Sequence, residues 1–227
     1  MSIISEFVKV KRNDTLTVQT YSEIKKLLMT GKLEPGVKLT GRQIAKAMNV
    51  SLTPSREAIG RLVAEGVLTP GVNQGAFVTR LTNEMFQEIS ECRVLLEGHL
   101  AYKSISNFKD ADIKNIKKTV EKMEDERTKG NYTKLLQLNS EFHFEIYSIA
   151  NMPIMLSIVE NLWLKIGPTL NLLRPFYHDS NQGIDYHKNF INSLQKNDPS
   201  GAKKAIMQDI SLASKRISKL LSKRLEK

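Results

Sequence analysis

Residues 40–66, TGRQIAKAMNVSLTPSREAIGRLVAEG, decide how the chain is interpreted, because they predict two short helices joined by a tight turn. Apolar residues at helical spacing predict the first helix over 41–48 and the second after a turn at 49–52. Thr53 is expected to cap the second helix, with Pro54 at its first position. This arrangement of helix, short turn and helix is the one that lays a recognition helix in the DNA major groove.

A small hairpin is predicted directly after the second helix. Two strand-like segments, 67–69 and 76–79, are separated by a glycine-rich loop, and a hairpin in this position is the wing of a winged helix. Its tip, Asn73-Gln74-Gly75, is expected to approach the DNA backbone or minor groove, because Gly75 has no side chain. We therefore predict a DNA-binding domain over 1–80 and a second domain over 81–227.

Charge and composition favour a nucleic-acid partner. The chain has 227 residues and a formal net charge of +10. Residues 1–80 hold 12 lysines and arginines against 6 acidic residues, a net of +6, whereas 81–227 hold 22 against 18, a net of +4. A basic N-terminal third suits a polyanion. With one cysteine, no signal peptide and no apolar run near the roughly 18 residues that span a bilayer, a cytoplasmic location and no membrane partner are expected.

The segment EPGVKLTGRQIAKAMNVSLTPSREAIGRLVAEGVL, followed by QGAFV, resembles the winged-helix domain of the GntR family of bacterial transcription regulators. The resemblance covers about 65 residues and implies that Arg42, Ser51, Thr53, Arg56 and Gly75 occupy DNA-contacting positions. Leu52 stands where many members have arginine, so a phosphate or base contact is missing there or is replaced by an apolar one. Together with the polar start of the second helix and the wing tip, the predicted DNA-binding set is Arg42, Ser51, Leu52, Thr53, Ser55, Arg56, Asn73, Gln74 and Gly75.

The remaining residues, 81–227, show no strand pattern and divide into six amphipathic helices. These are expected over 82–106, 110–129, 132–150, 153–174, 180–196 and 199–223. Six such helices can bury a full core as a bundle. The predicted fold is therefore mainly α: a winged helix-turn-helix with three helices and a hairpin wing, followed by an all-helical six-helix bundle.

Four polar residues fall on the apolar stripes of these helices. Asn139 and His143 are one turn apart on the third helix, His187 is on the fifth and Asp209 on the last. Because buried polar groups cost free energy when unpaired, their convergence in a bundle core indicates a metal site. Separate, individually satisfied polar residues are the alternative, and the spacing alone slightly favours that alternative.

The same residues resemble the FadR C-terminal (FCD) ligand-binding domain. Asn139, His143 and His187 match its ligand pattern, and Asp209 stands where the family has a final histidine, which favours harder ions. Arg93-x3-Glu97 matches the start of the domain, and six helices resemble its VanR-like branch. The resemblance implies a divalent ion, zinc, nickel or manganese, at these four residues.

The resemblance further implies a regulator that responds to a small organic acid. An acid carboxylate would bind the metal and a second oxygen would pair with Arg93, with a surface role for Arg93 as the alternative. We expect a homodimeric repressor on a near-palindromic operator, released when the acid binds, and not an enzyme. A metal-responsive regulator and, more remotely, a metal-dependent enzyme with a DNA-binding appendage are the alternatives.

Overall fold

The computed structural model describes residues 15–71, 75–179 and 182–225, and the chain divides into two compact units. The first unit comprises the chain up to Leu81 together with Trp163–Asn171. The second comprises Thr82–Leu162 and the chain from Leu172 onward. None of the described helices is long and apolar enough to cross a membrane.

The first unit has the predicted winged helix-turn-helix architecture. Its elements in chain order are α1 Leu16–Met29, β1 Lys38–Thr40, α2 Gly41–Met48, α3 Leu52–Ala64, β2 Leu68–Pro70 and β3 Gly75–Val78. The sheet order is β1-β3-β2 and both pairings are antiparallel, with Leu39 opposite Ala76 and Thr69 opposite Phe77. The hairpin was predicted, whereas the three-residue strand β1 was not.

Local capping explains why α2 has its predicted bounds. The Thr40 hydroxyl accepts from the backbone N–H of Gln43, and the side-chain oxygen of Gln43 accepts from the backbone N–H of Thr40. Together these two bonds form a capping box. Asn49 ends the helix in the left-handed conformation with φ 54°. The start of α3 differs from the prediction, because the N-cap is Ser51 and not Thr53. Pro54 is consequently the third helical residue, still within the first turn, where a missing N–H costs nothing.

The core of the first unit lies between α1, α2, α3 and the sheet. It contains buried side chains from each of these elements and one from much later in the chain, Leu164. The principal members are Ile24, Leu28, Ile44, Met48, Leu62, Val78 and Leu164. Burial of such aliphatic side chains stabilises a unit of this kind by about 1.5–3 kcal/mol each.

The segment Trp163–Asn171 packs closely on α1 within the first unit. A Cβ added at Gly167 would collide with the Leu28 carbonyl oxygen and lie 2.9 Å from the Met29 Cα. The Asn171 side-chain amide donates to the carbonyl of Gly31, which has a positive φ of 67°. Glycine at position 167 therefore permits an approach of two backbones that no other residue would allow.

The chain after Leu81 is helical throughout its described part. The α-helices are α4 Asn83–Ser104, α5 Asp110–Thr128, α6 Tyr132–Ile149, α7 Pro153–Ile166, α8 Arg174–Asp179, α9 Gln182–Gln195 and α10 Pro199–Leu225, and two 3-10 helices are Ile105–Asn107 and Gly167–Leu173. Within the second unit α10 packs against α4 and α9, and α5 packs against α6. Gly98 permits the close packing of α4 on α10, since its Cβ would lie 2.8 Å from the Met207 Cγ.

The fourth helix predicted after residue 81 is not continuous. The segment expected as one helix over 153–174 consists of α7, the 3-10 helix Gly167–Leu173 and the start of α8. Pro168 lacks an N–H and its ring conflicts with the preceding turn, and Gly167 is a poor helix former. The other five predicted helices correspond to α4, α5, α6, α9 and α10.

Replacing Gly167 with alanine tests the close packing on α1. We expect Gly167→Ala to destabilise the protein by about 1–3 kcal/mol, because the added methyl meets backbone atoms that cannot move aside. The measurement is urea denaturation followed by circular dichroism. Gly60→Ala is the matched control, since a Cβ at this exposed position in α3 would meet no atom within 4 Å. The control should gain about 0.5–1 kcal/mol, and equal stability of the two variants would contradict the packing described.

Candidate functional site

Four of the predicted DNA-binding residues lie together on the surface of the first unit. Arg42 is exposed in the first turn of α2, and Ser51, Thr53 and Arg56 are exposed at the start of α3. Backbone N–H groups at helix N-termini and arginine side chains are both suited to phosphate oxygens. This surface, made of these four residues, is called the recognition surface below.

Gly41 brings the N-terminal ends of α2 and α3 together. A Cβ at this position would lie 3.0 Å from the Arg56 Cγ and 3.2 Å from the Leu52 Cδ1. The aliphatic part of Arg56 and the half-buried Leu52 therefore pack over the start of α2. Leu52 stabilises the junction of the two helices through this contact.

Two of the predicted contacts are buried. Ser55 is fully buried, and its hydroxyl donates to the Ser51 carbonyl oxygen at 3.4 Å. Gly75 is buried in β3, where a Cβ would lie 3.3 Å from the Leu39 carbonyl oxygen. Ser55 therefore offers no exposed side chain for a DNA contact, and Gly75 packs against β1. Asn73 and Gln74 lie outside the described residues.

Other cations of the first unit are distinguished by their neighbours. Arg61 Nε lies 2.9 Å from Glu65 Oε1, and its guanidinium stacks over the Tyr21 ring with 3.9 Å to the centroid. The hydrogen bond with Glu65 raises the pKa of Arg61. Lys38 of β1, which the sequence did not single out, is exposed with Nζ 5.9 Å from the centroid of Phe77 in β3. Arg61 is thus a structural residue, whereas Lys38 is available to solvent beside the wing.

Three residues from three helices of the second unit meet in its interior. His143 of α6 and His187 of α9 are both 1% exposed, and Asp209 of α10 lies between them. The Asp209 Oδ2 is 3.2 Å from the His143 Nε2 and 3.5 Å from the His187 Nε2. Each residue offers a ligand atom within 4.8 Å of the other two. These three residues are called the triad below.

The histidine rings are held by aromatic packing. His187 stacks on Phe142 with 4.2 Å between ring centroids, and the edge of His143 faces His187 at 5.3 Å. Neither ring nitrogen of His187 has a hydrogen-bond partner among the described residues, although both are buried. Buried polar atoms without partners are uncommon and indicate a missing ion or molecule or a functional role.

Burial and charge act in opposite directions on the triad. Burial lowers the pKa of His143, because the imidazolium form loses its hydration, and this outweighs the nearby Asp209. Burial alone would raise the pKa of Asp209, but the two histidines outweigh it and hold that pKa well below its usual range. Burial therefore favours the neutral form of His143, and the neighbouring histidines favour the ionised form of Asp209. Neutral imidazole and ionised carboxylate are the forms that bind metals.

A hydrogen-bonded chain extends from His143 to α4. The His143 Nδ1 is 2.8 Å from the Tyr147 Oη, and the Tyr147 hydroxyl donates to the Glu97 Oε2 at 2.5 Å. Arg93 donates from Nε to the Glu97 Oε1 at 2.5 Å and from Nη2 to Oε2 at 3.2 Å. Burial, followed by the Glu97 charge, raises the pKa of Tyr147 well above its usual value.

The structure thus joins three of the predicted metal ligands and adds residues that were not predicted. Asn139 is half-buried one turn before His143. Arg93, expected to face an effector carboxylate, is 4% exposed and already holds the carboxylate of Glu97. Tyr147 was not singled out from the sequence, and Glu97 was named only within the Arg93-x3-Glu97 pattern, with no role assigned to it. The sequence signal for both is spacing: Tyr147 follows His143 by four residues, and Glu97 follows Arg93 by four. Each pair therefore lies on one side of its helix.

Two family descriptions match the chain. "Bacterial regulatory proteins, gntR family" matches residues 16–78, and "FCD domain" matches residues 88–212, which is more than half of the chain. The first match contains the recognition surface and the second contains the triad.

The chain is similar to proteins named as bacterial transcription regulators. The chain is 31% identical over 159 residues to "HTH-type transcriptional regulator McbR" of Escherichia coli, covering 70% of this chain and 72% of that protein. The solved structure of E. coli McbR/YncC matches with a TM-score of 0.83 and 28% identity, covering 88% of this chain and 98% of that one. A putative GntR regulator from Rhodococcus sp. RHA1 matches at a TM-score of 0.72, 17% identity, and 90% and 98% coverage, which supports the fold.

Proposed function

Because this chain belongs to the GntR family of bacterial transcription regulators and carries an FCD domain, we propose that it is a repressor released from its operator by a small organic acid. In this proposal residues 1–80 bind DNA, and residues 81–227 bind the effector and dimerise. DNA-binding regulation is the function of the family. The observation that supports an effector site is the buried triad with its two unpartnered His187 nitrogens.

The recognition surface supports separate roles for its two arginines. Arg56 follows the N-terminal turn of α3, the helix expected in the major groove, so we assign it to a base edge, for which guanine O6 and N7 are the usual partners. Arg42 begins the other helix, so we assign it to the phosphate backbone. Lys38, exposed beside the wing, is a further candidate for phosphate.

One recognition helix reads too few base pairs to define a site in a genome. We therefore propose that two copies of the chain bind a near-palindromic operator, with one recognition surface in each half-site. The helical domain is assigned the dimer interface. It offers large exposed apolar side chains for such contacts, among them Leu95 at 68% and Ile154 at 79% exposure.

Substitutions at the recognition surface test the DNA assignment. Arg56→Ala should cost about 1–3 kcal/mol of operator binding and relax sequence preference, because a base contact is lost. Arg42→Ala should weaken all sequences alike and reduce the salt dependence of binding, because a phosphate contact is lost. The measurement is fluorescence anisotropy at several salt concentrations, on an operator recovered by selection from random DNA.

Arg61→Ala is the matched control for these two variants. It removes the same charge from α3, but Arg61 is engaged by Glu65 and Tyr21. If Arg61→Ala weakens binding as much as Arg56→Ala does, only net charge matters and the recognition surface is misassigned.

Two separations within the triad are close to those of ligands around one metal ion. Atoms bound about 2.1 Å from one ion lie about 3.0–3.4 Å from each other in tetrahedral or octahedral sites. The Asp209 Oδ2 lies 3.2 Å and 3.5 Å from the two histidine nitrogens. His143, His187 and Asp209 would hold the ion, and Asn139 is proposed as a fourth ligand. Two imidazoles with a carboxylate suit zinc, nickel or manganese.

Removal of either histidine tests the metal site. His143→Ala and His187→Ala should each lose bound metal while keeping helix content, since the surrounding core is mostly apolar. The measurement is elemental analysis after exposure to zinc, nickel or manganese, with thermal unfolding as a second reading. His99→Ala, a half-buried histidine of α4 outside the triad, is the control and should keep the metal. Wild-type protein that neither retains nor is stabilised by any of the three ions would contradict the site.

The effector is proposed to complete the coordination of the ion. Three or four protein ligands leave positions that a carboxylate oxygen can fill, which makes a small organic acid the fitting class. Arg93 is less suited to bind the acid than its sequence position indicated, because it already pairs with Glu97. A metal that acts alone as the effector is the second candidate, and the triad supports it equally.

Thermodynamic reciprocity distinguishes these candidates. An acid recovered by mass spectrometry from the purified protein should weaken operator binding about 5- to 150-fold, and saturating operator should weaken acid binding by the same factor. The two titrations are made on metal-loaded protein. Equal acid affinity with and without operator would contradict an acid effector, and an operator affinity that changes with metal alone would favour the second candidate.

A further inference from the structure

We propose that Tyr147 and Glu97 are positioning residues that fix the tautomer of His143 so that its Nε2 is the ligand atom of the triad. The role of Nε2 as a ligand atom rests on the metal site proposed above. The hydrogen-bonded chain itself concerns only described, buried residues.

The direction of each hydrogen bond in the chain follows from Glu97. A carboxylate only accepts hydrogen bonds, so the Tyr147 hydroxyl at 2.5 Å from Oε2 must donate its single proton to Glu97. The Tyr147 oxygen is then left as an acceptor for the His143 Nδ1 at 2.8 Å. The proton in that bond must therefore be on Nδ1.

The opposite side of the His143 ring is thereby determined. With Nδ1 protonated, neutral imidazole has its lone pair on Nε2, which lies 3.2 Å from the Asp209 Oδ2. Two acceptor atoms that face each other at this distance repel, unless a cation lies with them. The hydrogen-bonded chain thus leaves the His143 Nε2 unprotonated and able to bind a metal beside Asp209. Without a cation between them, the close approach of Nε2 and the Asp209 Oδ2 is unfavourable.

Arg93 completes the chain by holding Glu97. Its two bonds use both carboxylate oxygens, and the side chains of Arg93 and Glu97 are 5% and 0% exposed. A bidentate pair of this kind fixes the plane of the carboxylate. Glu97 can therefore accept from Tyr147 in one orientation. The direction of every hydrogen bond from Glu97 to His143 is thus a consequence of the Arg93–Glu97 pair.

The two histidines of the triad are oriented differently. His143 is directed by the hydrogen-bonded chain, whereas His187 stacks on Phe142 and has no hydrogen-bond partner for either nitrogen among the described residues. Outer partners that orient a ligating histidine commonly change metal affinity by about 10–100-fold. We expect this effect at His143.

Tyr147→Phe removes the hydroxyl while keeping the ring. We expect the affinity of the full-length protein for Zn²⁺ to fall about 10–100-fold, measured by competition with a chromophoric chelator. Tyr102→Phe, at an exposed tyrosine of α4, is the matched control and should bind Zn²⁺ as the wild type does. Unchanged Zn²⁺ affinity in a folded Tyr147→Phe variant would overturn the inference.

Glu97→Gln provides a second variant that keeps the shape of the site. The amide has one acceptor oxygen in place of two, so it cannot accept from both Arg93 donors and from the Tyr147 hydroxyl as Glu97 does. The Tyr147 hydroxyl is then no longer held toward position 97, so the His143 tautomer should no longer be fixed and Zn²⁺ affinity should fall. Glu91→Gln, at an exposed position of the same helix, is the control.

The tautomer can be read without any metal. In ¹⁵N-histidine-labelled wild-type protein, assigned with a His143→Gln variant, the His143 Nδ1 resonance should be that of a protonated nitrogen, and Glu97→Gln should shift it toward the unprotonated value. An unprotonated Nδ1 in the wild type would overturn the inference. Because the NMR measurement is made on metal-free protein, it tests the tautomer independently of the metal site. The metal site is contradicted only if the wild type binds none of the three ions.

Discussion

Glu97 imposes a physical constraint on the helical unit, because a carboxylate with no exposed surface must have its charge met by other residues. The desolvation of such an ion costs several kcal/mol, which good geometry must offset. Arg93, one turn earlier on α4, supplies two donors, and Tyr147 of α6 supplies a third. A requirement that arises on one helix thus determines the hydrogen bonding of a second helix, and through His143 it reaches Asp209 on a third.

Features with local physical causes were predicted well from the sequence. Helix α2 begins and ends where expected, because Thr40 and Gln43 cap its start and Asn49 adopts the left-handed conformation that ends it. The meeting of His143, His187 and Asp209 was also predictable, since a polar residue on each of three apolar stripes has to be buried with partners. In each case the deciding interaction is short in sequence or follows from burial alone.

Features that depend on distant neighbours were predicted poorly. Strand β1 has three residues, which are too few to show the alternating pattern of a strand, and it forms by pairing with β3. Ser55 is a polar residue of the kind that contacts DNA, but its position on α3 places its side chain in the core. Tyr147 lies on an apolar stripe and is indistinguishable from a core aromatic until Glu97 is placed beside its hydroxyl. The break at Gly167 and Pro168 has a local cause, because both residues disfavour the interior of an α-helix.

The position of Trp163–Asn171 in the first unit limits how such a regulator can evolve by exchange of parts. A gene fragment that stops after Leu81 would encode a DNA-reading half without Leu164 in its core and without the backbone that covers the end of α1 at Gly167. Recombination at a single crossover near Leu81 would therefore separate the DNA-binding unit from part of its own core. The nine residues Trp163–Asn171 must be inherited with that unit, so the two parts of the chain are expected to diversify together.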